Sequence, residues 1–491
     1  MTAFALLPHA ENGRVPNYVG GEFSPAQGGE WLADEDPARA KRLAEVPRSR
    51  AVDVEAAAEA AGSARRGAWG RASVEERADL LDAVADAIEA RLEEFALLES
   101  LDTGKPVSLA RSVDIPRAVA NFRFFAGAVR HQSTDCHAME TALNYTLRRP
   151  VGTFGLITPW NLPLYLLSWK TAPALAMGNA VVAKPSEMTP LTAAALAEVF
   201  AGLDAPAGCF NLVHGLGPEV GQAIVEHPAI GGISFTGGTA TGKAVAATAA
   251  PMFKKLSLEL GGKNPSVVFA DCDLEAAVPG VLRAAFANQG QVCLCGSRVL
   301  VERGVFDEFT AAFVEAARAM RPGDPQAAGT SFGALVSAAH RDKVEGYARL
   351  AEEEGGEVLC GGKRPDLGGE LAAGAFFEPT VVRGLAPTSR CATEEIFGPV
   401  VTLHPFEDEA EALAIANGVR YGLAASVWTR DLSRAHRFSE ALESGMVWVN
   451  TWLLRDLRVP FGGMKDSGVG REGGRHSLEF FSESRNICIQ L

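Results

Sequence analysis

The chain has 491 residues, too many for one ordinary domain, so two or three are expected. Hydrophobic residues make up 47% and charged ones 22%, the balance of a soluble globular protein, and a formal net charge of −14 argues against nucleic-acid binding, which needs a basic surface. No apolar run is long enough to cross a bilayer, MTAFALLPHAENGR lacks a basic leader, and eight cysteines without disulfide-scaffold spacing point to a cytoplasmic protein with reduced thiols and no membrane partner.

The clearest helical region runs from about Ser73 to Leu101. Ser73 and Glu76 are placed like a capping box, and Leu81, Val84, Ile88, Leu92 and Phe95 recur at helical spacing to form one buried stripe. Gly104 and Pro106 mark its end. Beyond Pro150, short apolar runs alternate with longer amphipathic ones, as in a parallel sheet covered by helices. VGTFGLIT and NAVVAK read as strands, and CFNLVHG, GGISFTG and KKLSLELGG follow, each closing on glycine or a turn. This outlines a dinucleotide-type fold with ligands at the carboxyl ends of its strands. A second α/β unit begins near Gly261 and runs to about Phe461, and SRNICIQL reads as a lone terminal strand whose partner another subunit could supply.

Several segments carry candidate chemistry. FANQGQVCLCGSR sets Cys293 and Cys295 among glycine, glutamine and serine, where a structural cysteine would more often sit in an apolar element. No second Cys/His cluster accompanies the pair, so no metal site is expected. In KKLSLELGG, Ser257 and Glu259 share one strand face and Leu256, Leu258 and Leu260 the other. By pattern, Glu259 serves equally as a desolvated base or as an edge-strand glutamate facing water. The two following glycines imply a sharp turn or a close approach. Asn161, between Pro159 and Pro163, is either a fixed amide donor to an oxyanion or an ordinary turn residue. Lys184 and Glu187 could bind ribose hydroxyls, with Glu187 repelling an extra phosphate and so favouring NAD over NADP. Two glycine-rich turns, at Gly237 in FTGGTATG and at Gly215, Gly217 and Gly221 in HGLGPEVG, follow strands without matching the GxGxxG fingerprint.

Taken together and in order, TPWNLP, WKTAPALAMGNAVVAKPSEMTPL, SFTGGTATG, LELGGKNP, NQGQVCLCGSR, EEIFGPV and PFGGMKDSGVGRE resemble the aldehyde dehydrogenase superfamily from about Gly20 to the C-terminus. The resemblance implies an α/β architecture with a Rossmann-type NAD-binding domain (1–128 and 150–260), a second α/β catalytic domain (261–461), and a small β oligomerisation flap from bridging segments 129–149 and 462–491. It further implies a homo-oligomer, dimer or tetramer. Cys293 would attack the aldehyde to form a thiohemiacetal, Asn161 and the Cys293 N–H would hold the oxyanion, hydride would pass to NAD, and Glu259 would activate water against the thioester. The cofactor residues so implied are Trp160, Lys184, Ser186, Glu187, Gly217, Phe235, Thr236, Gly237, Gly238, Leu260, Glu395 and Phe397. Relatives often carry serine at Gly238, which puts a side-chain contact there in doubt, and a small residue at Cys295, read here first as pocket wall and second as a redox partner of Cys293.

Cys-Leu-Cys together with WLLRDLRVPFGGMKDSG is most similar to the branch acting on muconic semialdehydes, short unsaturated aldehydes bearing a carboxylate and a 2-amino or 2-hydroxy group. A carboxylate calls for guanidinium, and Arg111 and Arg455 are the expected clamp, with Trp169 and Leu162 in the substrate pocket and Arg117 and Arg458 as rivals. The alternatives are the same chemistry on betaine aldehyde, retinal or an aliphatic aldehyde, acyl transfer to coenzyme A, and a non-catalytic structural descendant.

Overall fold

The computed structural model describes residues 6–491. Segments apolar on both faces become central parallel strands: Thr153–Ile157, Ala180–Lys184 and Phe210–Leu212 are buried at every position. They lie in an eight-stranded sheet ordered Glu22–Ser24, Asn17–Val19, Phe210–Leu212, Ala180–Lys184, Thr153–Ile157, Ile230–Thr236, Lys255–Glu259, Gly468–Val469. The strands from Phe210–Leu212 to Lys255–Glu259 are mutually parallel, while the pairings beyond them are antiparallel. Parallel order brings the carboxyl ends to one edge, so the strand-end residues Lys184 and Glu259 and the loops bearing Asn161 and Gly237 emerge together.

A seven-stranded sheet follows, ordered Glu357–Cys360, Thr380–Arg383, Val400–Phe406, Arg298–Glu302, Pro265–Val268, Ala424–Trp428, Met446–Val449, and antiparallel only at its first pair. Cys293 precedes Arg298–Glu302, and Glu395 and Phe397 precede Val400–Phe406. The amino edge of the second sheet therefore supplies these residues, opposite the carboxyl edge of the first.

Two local expectations change. The region from Ser73 to Leu101 is two helices, Val74–Ala90 and Leu92–Thr103, broken where Arg91 leaves helical geometry at φ −119° and ψ 27°. The capping box is present, with the Ser73 N–H donating to Glu76 Oε2 at 2.7 Å and the Glu76 N–H to Ser73 Oγ at 3.1 Å. Leu81, Val84, Ile88 and Phe95 are fully buried, but Leu92, at the break, is only partly so. The terminal strand is not alone: Ser482–Gln490 pairs antiparallel along its whole length with Ala142–Pro150 of the same chain, and Cys136–Ala138 completes a three-stranded flap. Among the described residues no helix is long and apolar enough to cross a membrane.

Candidate active site

The loop before Cys293 is held in an uncommon backbone. Asn288, Gln289 and Gly290 lie consecutively in the left-handed region, at φ 50°, 56° and 71°. Asn264 pins the loop from behind, its Nδ2 donating to the Cys293 carbonyl at 2.7 Å and the Cys295 carbonyl at 2.9 Å. The paired glycines of LELGG serve close approach, since a Cβ on Gly262 would stand 2.8 Å from the Cys293 carbonyl oxygen and one on Gly261 2.3 Å from Glu395 Oε2. Cys293 itself is half-buried and borders two cavities. Burial pushes its thiol up, and the neighbouring Glu395, Glu259 and Cys295 push the same way, while Arg455 opposes. Cys295 is not pocket wall: it packs among Val292, Leu294 and Trp452, with its Sγ 3.8 Å from the Ala287 carbonyl. Burial raises that thiol to about 12.

Glu259 is buried, not on a wet edge, because Gly468–Val469 covers its strand. Neither carboxylate oxygen has a hydrogen-bond partner. Burial lifts its carboxyl well above the usual range, Glu472 adds to the rise, and Lys170, Arg455 and Arg471 work against it. Asn161 is buried on the loop after Thr153–Ile157. One of its two amide hydrogens is used by the Gln291 carbonyl at 2.9 Å, which leaves the other for a ligand.

One cavity beside Cys293 is lined by Trp160, Asn161, Thr236, Gly237, Gly238, Leu260, Glu395 and Phe397, so it gathers most of the expected cofactor residues. Glu395 accepts from the Gly262 N–H at 2.8 Å, and Trp160 meets Phe397 edge-on at 5.2 Å. Phe235 is buried, and a Cβ on Gly237 would collide with its ring. Gly238 precedes the helix Thr239–Ala249 and has open space where a side chain would stand. Glu187 instead lines a neighbouring cavity with Leu216, adjacent to Gly217. Lys184 is buried and donates to Glu187 Oε2 at 2.8 Å and to the Pro185 carbonyl, while Ser186 accepts from the Met188 N–H at 3.3 Å. The donor set suits a dinucleotide: the hydroxyl of Thr236 is buried without a partner, and the first peptide N–H groups of the eleven-residue helix Thr239–Ala249 point toward the loop, whereas the Gly237 N–H is already taken by the Glu259 carbonyl at 3.0 Å.

The second cavity runs from Cys293 past Leu162, Tyr165, Trp169 and Phe461 to Arg455. The Arg455 guanidinium is sandwiched 4.7 Å from the Trp169 ring and 3.9 Å from Phe461, with Nη1 3.4 Å from the Tyr165 hydroxyl. Its Nε and Nη2 are buried and unpartnered. Arg111 is a correction. It lies at the surface in an ion pair with Glu93 at 2.7 Å and lines neither cavity. Arg283 lines the cavity with Arg455, while Arg117, six positions on from Arg111, about one and two-thirds helical turns away and hence on another face, packs behind the cavity wall. The Arg117 guanidinium stacks on Tyr165 and Trp169 at 5.2 and 5.5 Å, the same two side chains Arg455 uses, and its Nη2 is buried without a partner. Burial and the nearby Arg455 charge both pull its pKa down. Arg458 faces water and pairs with Asp456.

Sequence reasoning passed over two groups of residues. Lys170, fully buried in the helix Pro163–Ala176, donates to Glu472 at 2.7 Å and to Ser234 Oγ at 2.9 Å, behind Glu259. Lys105, also fully buried, reaches the carbonyl of Asn161. A charged residue inside an otherwise apolar helix was the available signal for Lys170, and nothing local marks Lys105.

The description of the aldehyde dehydrogenase family matches residues 23–487. The chain is 49% identical over 486 residues to 2-hydroxymuconic semialdehyde dehydrogenase of Pseudomonas sp. (strain CF600), covering 97% of this chain and 99% of that one. It is 48% identical over 480 residues to 2-aminomuconic semialdehyde dehydrogenase of Danio rerio, covering 97% and 98%. The NAD+ complex of aldehyde dehydrogenase from Bacillus cereus superposes with a TM-score of 0.95 at 39% identity, covering 98% of this chain and 97% of that one.

Proposed function

Because this chain belongs to the aldehyde dehydrogenase family and so oxidises aldehydes, we propose that its substrate is a short aldehyde carrying a carboxylate, a 2-hydroxy- or 2-aminomuconic semialdehyde, and its oxidant NAD. The observation that carries the substrate is Arg455, a guanidinium with two buried, unpartnered donors in the cavity that ends on Cys293. A buried cation without a counter-ion is unfavourable, and a ligand carboxylate gripped by parallel hydrogen bonds would relieve it. Arg283 lines the same cavity, and Arg117 adds a further positive group behind its Tyr165 and Trp169 wall. A cationic aldehyde such as betaine aldehyde would be repelled there, and a neutral one would leave the Arg455 donors unsatisfied.

The chemistry follows from the residues around the thiol. Cys293 adds to the aldehyde carbon, and its proton has a taker in Glu259, a carboxylate with no hydrogen bond to lose and a raised affinity for protons. The free amide hydrogen of Asn161 and the Cys293 N–H stabilise the oxygen as it becomes an alkoxide. NAD, when bound, supplies hydride acceptance from the thiohemiacetal, and Trp160, Gly237, Glu395 and Phe397 are the residues that would hold it there. Glu259 first gives that proton up to solvent, then takes one from the water that attacks the thioester and passes it to the departing Cys293 sulfur, releasing the acid and the thiol. Glu187 would favour NAD over a cofactor with an extra ribose phosphate. The nearly all-exposed strand Ser482–Gln490 at the edge of the flap supports assembly into a homo-oligomer.

The test follows NADH formation with 2-hydroxymuconic semialdehyde, a neutral aldehyde of similar length, and Cys293→Ala as control. A strong preference for the carboxylate, lost in the control, is expected. Efficient turnover of the neutral aldehyde alone overturns the substrate, and Cys293-independent NADH overturns the mechanism.

A further inference from the structure

We infer that Lys105 is a positioning residue for the oxyanion site, holding Asn161 in register with Cys293 through the Asn161 main-chain carbonyl. The inference rests on the reading of Asn161 as an oxyanion donor.

Lys105 is fully buried, and its ammonium has three donors, all used. They go to Asp114 Oδ2 at 2.7 Å, to the Asn161 carbonyl at 3.1 Å and to Glu99 Oε1 at 3.3 Å. Glu99 is held in turn by the Thr192 hydroxyl at 2.9 Å. Burial works against the lysine charge, but Asp114 and Glu99 outweigh it and keep the ammonium firmly protonated. Buried ion groups of this kind add little stability over well-packed apolar residues, which leaves geometry as their use. Here two carboxylates aim one N–H at one particular peptide oxygen.

That oxygen is the hinge of the site. It accepts a second bond from Asn288 Nδ2 at 3.0 Å, while the Asn161 side chain reaches back to the Gln291 carbonyl. The Gln291 side chain is fixed by the Val336 N–H at 3.0 Å. Asn288 and Gln291 belong to the left-handed loop that ends on Cys293, so the two oxyanion donors are braced against each other, and Lys105 anchors the brace to the fold. Asp114 also immediately precedes the helix Ile115–Arg130, which bears Arg117. The same ammonium therefore ties the carboxylate end of the cavity to its reacting end. Shifts of about 1 Å in such a site lower rates by roughly a hundredfold.

The experiment is a double-mutant cycle of Lys105→Met with Asn161→Ala in the full-length enzyme. It is read by kcat/KM, by affinity for a trifluoromethyl ketone whose cysteine adduct carries the oxyanion, and by NAD affinity. Lys105→Met alone should lower the first two roughly tenfold to a hundredfold, the range of one charge-assisted hydrogen bond, with NAD affinity unchanged. On the Asn161→Ala background it should add almost nothing. Since Lys105→Met strands two buried carboxylates, Asn288→Gly is run alongside: it removes the other donor to the same carbonyl, with a long 3.5 Å bond to the Gln291 carbonyl, and glycine keeps the φ of 50°. If Lys105→Met does not fold, Lys105→Arg, which keeps a cation between Glu99 and Asp114 but redirects its donors, takes its place in the cycle. Full-size losses on the Asn161→Ala background, or a parallel loss of NAD affinity, overturn the positioning role and leave the oxyanion reading intact. An Asn161→Ala enzyme with undiminished kcat/KM overturns the oxyanion reading itself.

Discussion

Replacing Arg455 by methionine removes the guanidinium and keeps an unbranched chain between the rings of Trp169 and Phe461. The charge-assisted bonds open to a carboxylate are those of Nε and Nη2, both buried and unpartnered in the free enzyme. Each such bond is worth about 1.5–3 kcal/mol. Taking the low end, because the guanidinium loses its own hydration, two bonds come to about 3 kcal/mol, or roughly a hundredfold in kcat/KM. Arg455 also acts on the thiol of Cys293 and the carboxyl of Glu259, holding both down, so its loss alters the rate on any aldehyde. The useful quantity is thus the ratio of kcat/KM for a muconic semialdehyde to that for a neutral aldehyde of equal length, at one pH and saturating NAD. The common electrostatic effect cancels in that ratio, and a fall of roughly a hundredfold should remain. Arg455→Lys should fall between, keeping charge but losing the bidentate fork. Equal losses on both aldehydes would refute the clamp.

Three further outcomes are expected. Arg117→Leu, which removes a charge behind the Tyr165 and Trp169 wall, should lower the same ratio roughly tenfold, the size of a unit-charge attraction about 10 Å away at an effective dielectric of about 20, whereas Arg111→Leu, a surface pair with Glu93, should stay within about 0.5 kcal/mol on both substrates; steady-state kinetics of the two variants sets them apart. Glu472→Gln should move the acid limb of the kcat–pH profile to lower pH. The Glu472 carboxylate raises Glu259, so neutralising it lowers Glu259, and Lys170, relieved of its partner, pulls further the same way; a limb that stays put or rises counts against Glu259 as the base. Gly261→Ala should raise KM for NAD, because its Cβ would stand 2.3 Å from Glu395 Oε2 and displace that carboxylate from the Gly262 N–H, while Gly238→Ser, entering open space, should not; equal NAD titrations of the two variants would contradict the placement of Glu395.

What the chain announces by itself is local: the capping box at Ser73, the doubly apolar runs that become Thr153–Ile157 and Ala180–Lys184, and the glycine- and glutamine-rich setting of Cys293. Such features are readable because side-chain period and backbone freedom act between near neighbours. Tertiary structure decided whatever depends on which distant surfaces meet. Glu259 could have faced water until Gly468–Val469, two hundred residues on, covered its strand. The strand SRNICIQL found Ala142–Pro150 within its own chain. Arg111 and Arg117 are alike in composition and neighbourhood, and only the turn of the helix, set by what it packs against, puts one in the salt solution and the other over Tyr165. Lys105 became part of the site for the same reason: burial leaves an ammonium no water, so it takes whichever acceptors the fold brings within reach, and here one of them is the carbonyl of Asn161.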